Sequence, residues 1–275
     1  MTDLIYDIGM HEGEDSKFYL LKGFRVVAVE ADPDLCTAAA ERLHEFTETG
    51  QLTIVNRAIA PTPGRLTFYR SERSGWSTVV RQRAKNIAAR GVLSEEITVE
   101  AMTLADLVCS YGVSYYMKID IEGMDRAAVQ SLAATELRPR YLSMEISLAH
   151  NPTFAAIKAD FEALAQLGYN KFKIIDQRAV PQQIPPEPAA AGQYVPYRFL
   201  NGESGLFGEE TQGEWLAMHE ALAAFRRFNR TIGLQVLLHR WQRAYLFYNA
   251  VIYRLSGRYP NFGWYDIHAK HSTVA

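Results

Sequence analysis

Two stretches of the chain place acidic side chains where ligand chemistry is done. The first is Leu4–Pro33, LIYDIGMHEGEDSKFYLLKGFRVVAVEADP, in which Asp7-Ile8-Gly9 leads into a turn crowded with His11, Glu12, Glu14 and Asp15. Glu30 stands about 20 residues further on, at the end of a second apolar run, where an acidic side chain accepts hydrogen bonds from both hydroxyls of a ribose. The second stretch is Met117–Arg126, MKIDIEGMDR. Strand alternation puts Lys118, Asp120 and Glu122 on one side and Met117, Ile119 and Ile121 on the other. Three charges do not share a dry core, so the expectation is a strand whose charged positions emerge at its carboxyl end, where open parallel sheets bind ligands. Asp120 and Glu122 are then candidate active-site carboxylates. The structural alternative is an internal Lys–Asp pair that fixes the strand end.

The first stretch also narrows the ligand. Nicotinamide enzymes use G-x-G-x-x-G, which admits a pyrophosphate at a helix N-terminus. This chain has Asp-x-Gly-x-x-x-Gly surrounded by acids, and such a loop repels a diphosphate. S-adenosylmethionine, with a ribose, a sulfonium and an ammonium group and no phosphate, matches those charges. An ordinary solvated acidic loop is the competing reading.

The elements that must position these residues follow from pattern. Leu4–Ile8 reads as a strand, Asp15 and Ser16 offer caps for a helix over Phe18–Leu21, Gly23 ends it, and Phe24–Val29 forms the next strand. Gly9 and Gly13 are expected to let the backbone approach a ligand. Asp32-Pro33 opens a helix running to about Gly50. Leu52–Asn56 is a third strand, and the turn after it, with Asn56 and Ala58, is where such a fold meets an adenine edge. Arg65–Tyr69 is extended and leads into the loop SGWST, where Trp76 is a candidate pocket wall or a core aromatic. Arg81, Arg83, Lys85 and Arg90 form a basic helix face, either solvated or attractive to an acidic substrate. Strands over Ile97–Met102, Tyr115–Ile121, Tyr141–Ile146 and Lys171–Ile175 alternate with helices beginning at Thr103, Asp125 and Phe154. The class is α/β, a Rossmann-like and mostly parallel sheet with helices on both faces.

Asp7-x-Gly9, VVAVEADP, the turn NRAIA, the loop SGWST, Thr103-Leu104-Ala105-Asp106, MKIDIEG and YLSMEIS occur in an order and spacing that resembles the FkbM-type S-adenosylmethionine-dependent methyltransferases, over roughly residues 3–175. MKIDIEG is similar to that family's K-I-D-V-E-G signature. The resemblance implies a class I methyltransferase fold and methyl transfer, usually to a hydroxyl of a sugar or natural product. Residue by residue, Asp7, Gly9 and Glu30 match the family's cofactor motif and Asp120 and Glu122 match the K-I-D-V-E-G pair; Ala31, Asn56 and Ala58 are further candidate cofactor contacts, and Asp120 or Glu122 is expected to orient or deprotonate the acceptor hydroxyl. His11 is the reserve base. Trp76, Lys118, Glu145 and His150 are candidate substrate contacts, His150 also being readable as a solvated loop residue. The chain departs from the family where Asp-x-Gly-Ala-Asn-x-Gly is replaced by Asp7-Ile8-Gly9-Met10-His11-Glu12-Gly13.

Residues 1–180 form the expected cofactor domain, and residues 192–275 a C-terminal loop and helical extension packed on it, after a proline-rich linker at Pro181–Pro188. The segment TIGLQVLLHRWQRAYLFYNAVIYRL is apolar but interrupted by His239, Arg240, Arg243 and Asn249, which reads as a core or dimer helix and not as a membrane span. Membrane-surface binding is the alternative for it. A net charge of −2 carries no electrostatic case for nucleic acid. Two cysteines imply no disulfide framework and no thiolate metal site, and a reducing compartment, the cytoplasm, is expected. The expected partner is a small-molecule or glycan acceptor, with a homo-oligomer compatible. Rival readings are a divalent-metal enzyme using His11, Glu12, Asp120 and Glu122, and a non-catalytic nucleoside-binding module.

Overall fold

The structure, a computed structural model, describes residues 3–146, 153–228, 247, 251, 254 and 264–274. Its main sheet has seven strands in the order β3-β2-β1-β7-β8-β10-β9. These are β1 (Leu4–Ile8), β2 (Arg25–Glu30), β3 (Leu52–Asn56), β7 (Tyr116–Ile119), β8 (Tyr141–Glu145), β9 (Tyr169–Asp176) and β10 (Tyr265–His271). β3, β2, β1, β7 and β8 pair in parallel, while β10 runs antiparallel to both β8 and β9. A smaller sheet, β4-β6-β5, joins β4 (Ala58–Ile59), β5 (Gly64–Ser71) and β6 (Ser94–Met102). The order of the main sheet reverses beside β1, because β1 leads outward to β2 and β3 and the chain returns on its other side to β7. The carboxyl ends of β1 and β7 therefore flank a topological switch point, where doubly wound sheets bind ligands.

Alternating strand residues feed two cores. On one face, Tyr6, Ile8, Val27, Met117 and Met144 pack with α5 (Leu104–Tyr111), α6 (Asp125–Ser131), α7 (Phe154–Gln166) and α8 (Met218–Phe228). On the other, Ile5, Val26, Ala28 and Tyr116 pack with α1 (Glu14–Leu21), α2 (Pro33–Arg42) and residues of the segment 180–207, among them Phe199 and Phe207. That segment is anchored by a buried ion pair, Lys22 Nζ to Glu210 Oε1 at 2.9 Å. Glu210 Oε1 also accepts from the Ala190 N–H at 3.0 Å.

Several local expectations are corrected. Asp15 and Ser16 do not cap α1; its N-cap is Gly13 in the left-handed region, with no side-chain cap, and both residues are buried within the first turn. The helix opened by Asp32 and Pro33 is capped as expected, Asp32 accepting from the Asp34 N–H at 3.0 Å. It breaks at Leu43, however, before a short α3 (His44–Glu48). The expected strand over Lys171–Ile175 is β9, at the edge of the sheet. Residues 265–271, near the end of the extension, insert as β10 between β8 and β9, so the C-terminal part is not helical throughout. The expected long helix over 231–255 falls almost entirely outside the described residues. Among the described residues no helix is long and apolar enough to cross a membrane.

Candidate functional site

A cavity of about 910 Å³ opens at the carboxyl ends of β1, β2, β7 and β8. The turn after β1 forms one wall. Gly9 has φ +79°, and a Cβ there would lie 1.8 Å from the Asp120 carbonyl oxygen, so glycine is required by the approach of the chain after β7. At Gly13 a Cβ would meet Leu43 Cδ1 at 2.8 Å. Gly13 thus serves a contact within the protein, while Gly9 serves one and also lines the cavity. The N–H groups of Gly9 and Met10 donate to the Val29 carbonyl at 2.9 and 3.1 Å, that of Gly13 to Met10 O at 3.0 Å, and that of His11 to Glu30 Oε2 at 3.0 Å. Those four donors are therefore engaged within the protein and are not the phosphate cradle of a nucleotide turn.

Glu30 ends β2, lines the cavity and is 9% exposed. Its Oε1 accepts from the Asp32 N–H at 2.9 Å and its Oε2 from His11, which aims the carboxylate while leaving each oxygen a further lone pair. Burial raises its pKa, and those two N–H groups oppose the shift. Ala31 and Ala58 also line the cavity. Asn56 does not: its Nδ2 donates to the carbonyls of Glu30 at 2.9 Å and Ala31 at 3.2 Å, bracing the strand tip from behind.

Asp7 is placed differently from its expected cofactor contact. It is fully buried away from the cavity, accepts from Ser16 Oγ at 2.6 Å and lies 3.2 Å from Lys118 Nζ. The β1–β7 register sets Asp7 opposite Lys118. Lys118 Nζ is also 3.3 Å from Asp15 Oδ2 and donates to Gly9 O at 3.0 Å. Burial works against its charge, and Asp7 and Asp15 more than offset that, holding its pKa well above the usual lysine value. The internal Lys–Asp pair foreseen as an alternative therefore exists, with Asp7 and Asp15 as partners, and Lys118, which also lines the cavity, has its ammonium engaged by them and by Gly9 O. Asp15 is further held by the Ser204 N–H at 2.8 Å and Ser204 Oγ at 2.9 Å. Burial pushes its carboxyl up to about 6 against the pull of Lys118.

The chain after β7 carries Asp120 and Glu122 into the cavity. The Asp120 N–H donates to Ile8 O at 2.9 Å, and no hydrogen bond or ion pair of its carboxylate is seen among the described residues. Glu122 adopts φ +55°, rare for a residue with a side chain. Its carbonyl accepts from Thr78 Oγ1 at 3.0 Å and its carboxylate is ion-paired with Arg83 of α4 (Arg81–Ala88). Arg83, read from sequence only as part of a basic face, so becomes the counter-charge of one candidate carboxylate. Asp125 accepts from the N–H groups of Ile121 at 3.2 Å and Gly123 at 3.1 Å and thereby shapes this loop. Burial, with Asp120 adding, pushes its carboxyl up to about 7. Glu145, at the end of β8, lines the same cavity and faces Asp266 across the β8–β10 pair. Burial and the charges of Asp120, Asp125 and Asp266 hold Glu145 well above the carboxylate range. His150 lies outside the described residues. Trp76 lines the cavity, with the Arg73 guanidinium 4.7 Å from its ring centre. Asn201, Gly202, Trp264 and Tyr265 join from the C-terminal part. Among the described residues no group of three or more His, Cys, Asp or Glu is arranged to hold a metal ion.

Asp125 and Asp266 were missed as site residues because nothing local marks them. Their signals were a helix-opening acid after Gly123 and an Asp in an aromatic C-terminal stretch. The raised carboxyls have a measurable consequence. Between about pH 4 and 7 the folded protein binds more protons at Asp125, and at Asp15, than the unfolded chain, so stability falls as pH rises through about 7 and is greatest at the acid end of that window. Urea midpoints should fall from pH 5 to pH 8, with a flatter slope in Asp125→Asn. Parallel slopes in the two proteins would show that Asp125 titrates as an ordinary carboxylate.

The sequence profile of the methyltransferase FkbM domain matches residues 7–171, more than half of the chain. The chain belongs to the FkbM methyltransferase family. The family is S-adenosylmethionine-dependent, and the sheet is that of a Rossmann-like class I methyltransferase. Among solved structures, the chain is similar to an FkbM methyltransferase from Methylobacillus flagellatus KT at 16% identity and TM-score 0.36, over 60% of this chain and 37% of that one. It is also similar to a putative rRNA methylase from Clostridium thermocellum, at 11% identity and TM-score 0.34, over 63% and 76%. A third is phosphoethanolamine N-methyltransferase 2 of Haemonchus contortus, in complex with phosphomonomethylethanolamine and S-adenosylhomocysteine, at 11% identity and TM-score 0.36, over 98% and 48%. The chain thus spans little more than a third of the Methylobacillus protein. No curated protein is significantly similar to it. The FkbM pattern has Asn where this chain has His11, whose φ is +56°. Asn and His are both enriched in that left-handed conformation, so the exchange preserves the backbone turn that presents the His11 N–H to Glu30.

Proposed function

We propose that this FkbM-family protein transfers a methyl group from S-adenosylmethionine to a hydroxyl of a sugar, glycan or other natural product. The observation that supports this reading is that Glu30 and the carboxylates Asp120, Glu122 and Glu145 open into one cavity at the switch point of the sheet. The donor set suits the cofactor. Glu30 is oriented for ribose hydroxyls, Ala31 and Ala58 offer an apolar edge for adenine, and Glu14 and Asp15 add negative charge for a cationic ligand. The cofactor supplies an electrophilic methyl carbon.

On the other side of the cavity, Asp120 accepts a hydrogen bond from the acceptor and orients it, while Glu122, tied to Arg83, holds the wall of the pocket. Trp76 and Trp264 offer flat apolar surfaces for a sugar ring. In this reading residues 1–180 carry the cofactor, and residues 192–275 complete the acceptor side. Both cysteines are free thiols, which suits the cytoplasm.

The test is calorimetry with S-adenosylhomocysteine. Glu30→Ala removes a charged acceptor of two hydroxyl hydrogen bonds and should weaken binding by about 1.5–3 kcal/mol. Glu30→Gln keeps one acceptor for the loop N–H groups and should lose less. If Glu30→Ala binds as tightly as the wild type, the ribose assignment is wrong. A labelled-methyl screen of hydroxylated metabolites and glycans then identifies the acceptor.

A further inference from the structure

We infer that a turn of the C-terminal part, Leu200–Glu203, closes the amino-acid end of the cofactor site, with the Asn201 side chain and the N–H groups of Asn201 and Gly202 holding the α-carboxylate of S-adenosylmethionine. The inference rests on the S-adenosylmethionine reading. Asn201 and Gly202 line the cavity, although they lie outside residues 7–171, the stretch that matches the FkbM domain. The turn is fixed to α1 at both ends. Before it, Tyr197 and Phe199 pack on Phe18 with ring centres 4.9 and 4.8 Å away. After it, the Ser204 N–H and Oγ donate to Asp15 Oδ1 and Oδ2 at 2.8 and 2.9 Å. Within it, the buried Glu203 carboxylate accepts from the Leu200 N–H at 2.6 Å and the Tyr197 hydroxyl at 2.9 Å. The Glu203 N–H donates back to Leu200 O at 3.4 Å, and Gly202 takes φ +100° to complete the turn. Three residues span at most about 11 Å, so Ser204 keeps Asn201 beside Asp15 and the turn after β1.

The amino-acid end of S-adenosylmethionine carries an ammonium and a carboxylate on one carbon, and this wall of the cavity treats the two differently. Glu14, Asp15 and Glu30 suit the ammonium and repel the carboxylate. A carboxylate taken out of water needs donors. Those of the β1 turn are spent, the N–H groups of Gly9, Met10 and Gly13 on main-chain carbonyls and that of His11 on Glu30. Lys118 Nζ is shared among Asp7, Asp15 and Gly9 O, and the His11 ring lies 3.4 Å from Glu14. Arg83 and Arg90 come from α4 and the turn after it, Arg83 being paired with Glu122, and Arg57 lies 3.6 Å from Glu100. By contrast, no hydrogen bond of the Asn201 side chain, or of the Asn201 and Gly202 N–H groups, is seen among the described residues. Two successive main-chain donors and an amide on a braced turn make a small anion seat. It is in place before the ligand arrives, so little ordering is lost on binding. The turn thus adds one cofactor contact from outside residues 1–180, while the rest of the C-terminal part completes the acceptor side.

S-adenosylmethionine and decarboxylated S-adenosylmethionine differ by that carboxylate, and they serve as the probes in calorimetry. Against acidic side chains alone, the decarboxylated ligand, with one more net positive charge, binds the more tightly. With the seat in place the wild type should prefer S-adenosylmethionine. Asn201→Ala should weaken S-adenosylmethionine about tenfold, the scale of one hydrogen bond to a charged group, and leave the decarboxylated ligand within about twofold. Asn201→Asp sets a carboxylate against a carboxylate and should reverse the order of the two ligands. Asn201 is exposed, so both variants should melt within about 2 °C of the wild type, which separates a lost contact from a lost fold. A wild type that prefers the decarboxylated ligand, or a preference that both Asn201 variants retain in full, overturns the inference. A preference lost in His11→Ala and kept in the Asn201 variants gives the carboxylate to the imidazole and overturns it too. Glu30→Ala should weaken both ligands alike, because they share the ribose. If neither ligand binds the wild type, the cofactor reading falls and this inference with it; if both bind and only the Asn201 results fail, this inference falls alone.

Discussion

Replacing Lys118 with Met is expected to destabilise the protein by about 3–5 kcal/mol, the range for removing one partner from a buried ion pair. Lys118 is 5% exposed and lies between two carboxylates, Asp7 and Asp15, with Nζ at 3.2 and 3.3 Å from their oxygens. Methionine fills much of the same volume and packs well, so the loss is that of the ammonium and not of a cavity. Two carboxylates remain out of water with Ser16 and Ser204 as their neutral donors. The bond to Gly9 O also goes, and with it one tie between β7 and the turn that presents His11 and Glu30. A fall in Tm on the order of 10 °C is the expected reading in a thermal melt. Adding Asp7→Asn to Lys118→Met should recover part of it, because a neutral amide tolerates the site better than an unpaired carboxylate. A Tm within about 2 °C of the wild type for Lys118→Met alone would show that the cluster is not electrostatically strained.

Asp120→Asn is expected to lower turnover about a hundredfold or more while leaving S-adenosylhomocysteine affinity nearly unchanged. Much of the acceleration of an in-line methyl transfer comes from holding nucleophile and methyl carbon in line, and a misplacement of about 1 Å can cost that much. Asp120 is suited to that work because its backbone is fixed: its N–H is held by Ile8 O and its carbonyl packs against Gly9. For its carboxylate, meanwhile, no hydrogen bond or ion pair is seen among the described residues. An amide in its place can turn its N–H₂ toward the acceptor oxygen and hold it in the wrong register. Glu122→Gln should act more weakly on turnover, since it chiefly loosens the tie to Arg83. The decisive comparison is kcat against cofactor Kd for the two variants on the same acceptor. Should Asp120→Asn and Glu122→Gln both turn over normally while His11→Ala fails, the orienting group is His11, whose ring pKa is raised by its hydrogen bond to Glu14.

What could be read from sequence was what is encoded within a few residues. Strand β1, the stop at Gly23, the Asp32-Pro33 start of α2 and the emergence of Asp120 and Glu122 at the end of β7 depend on side-chain period, caps and glycine, and the structure has them where the pattern put them. Glu30 at the tip of β2 belongs with these. The partners of the charges were not legible, because they are chosen by strand order and register. Lys118 alternates with its neighbours identically whether it meets solvent or Asp7, and only the β1–β7 register made the second true. Arg83 lies far along the chain from Glu122, Ser204 from Asp15, and Asp266 from Glu145. No local pattern links any of these pairs. The antiparallel entry of β10 decided the last of them, and with it the electrostatics of the cavity, because a strand from the C-terminal end of the chain brought a carboxylate against the end of β8. Local propensity determined which residues reach the edge of the sheet, and tertiary pairing decided which of them are neutralised there and which are left to act.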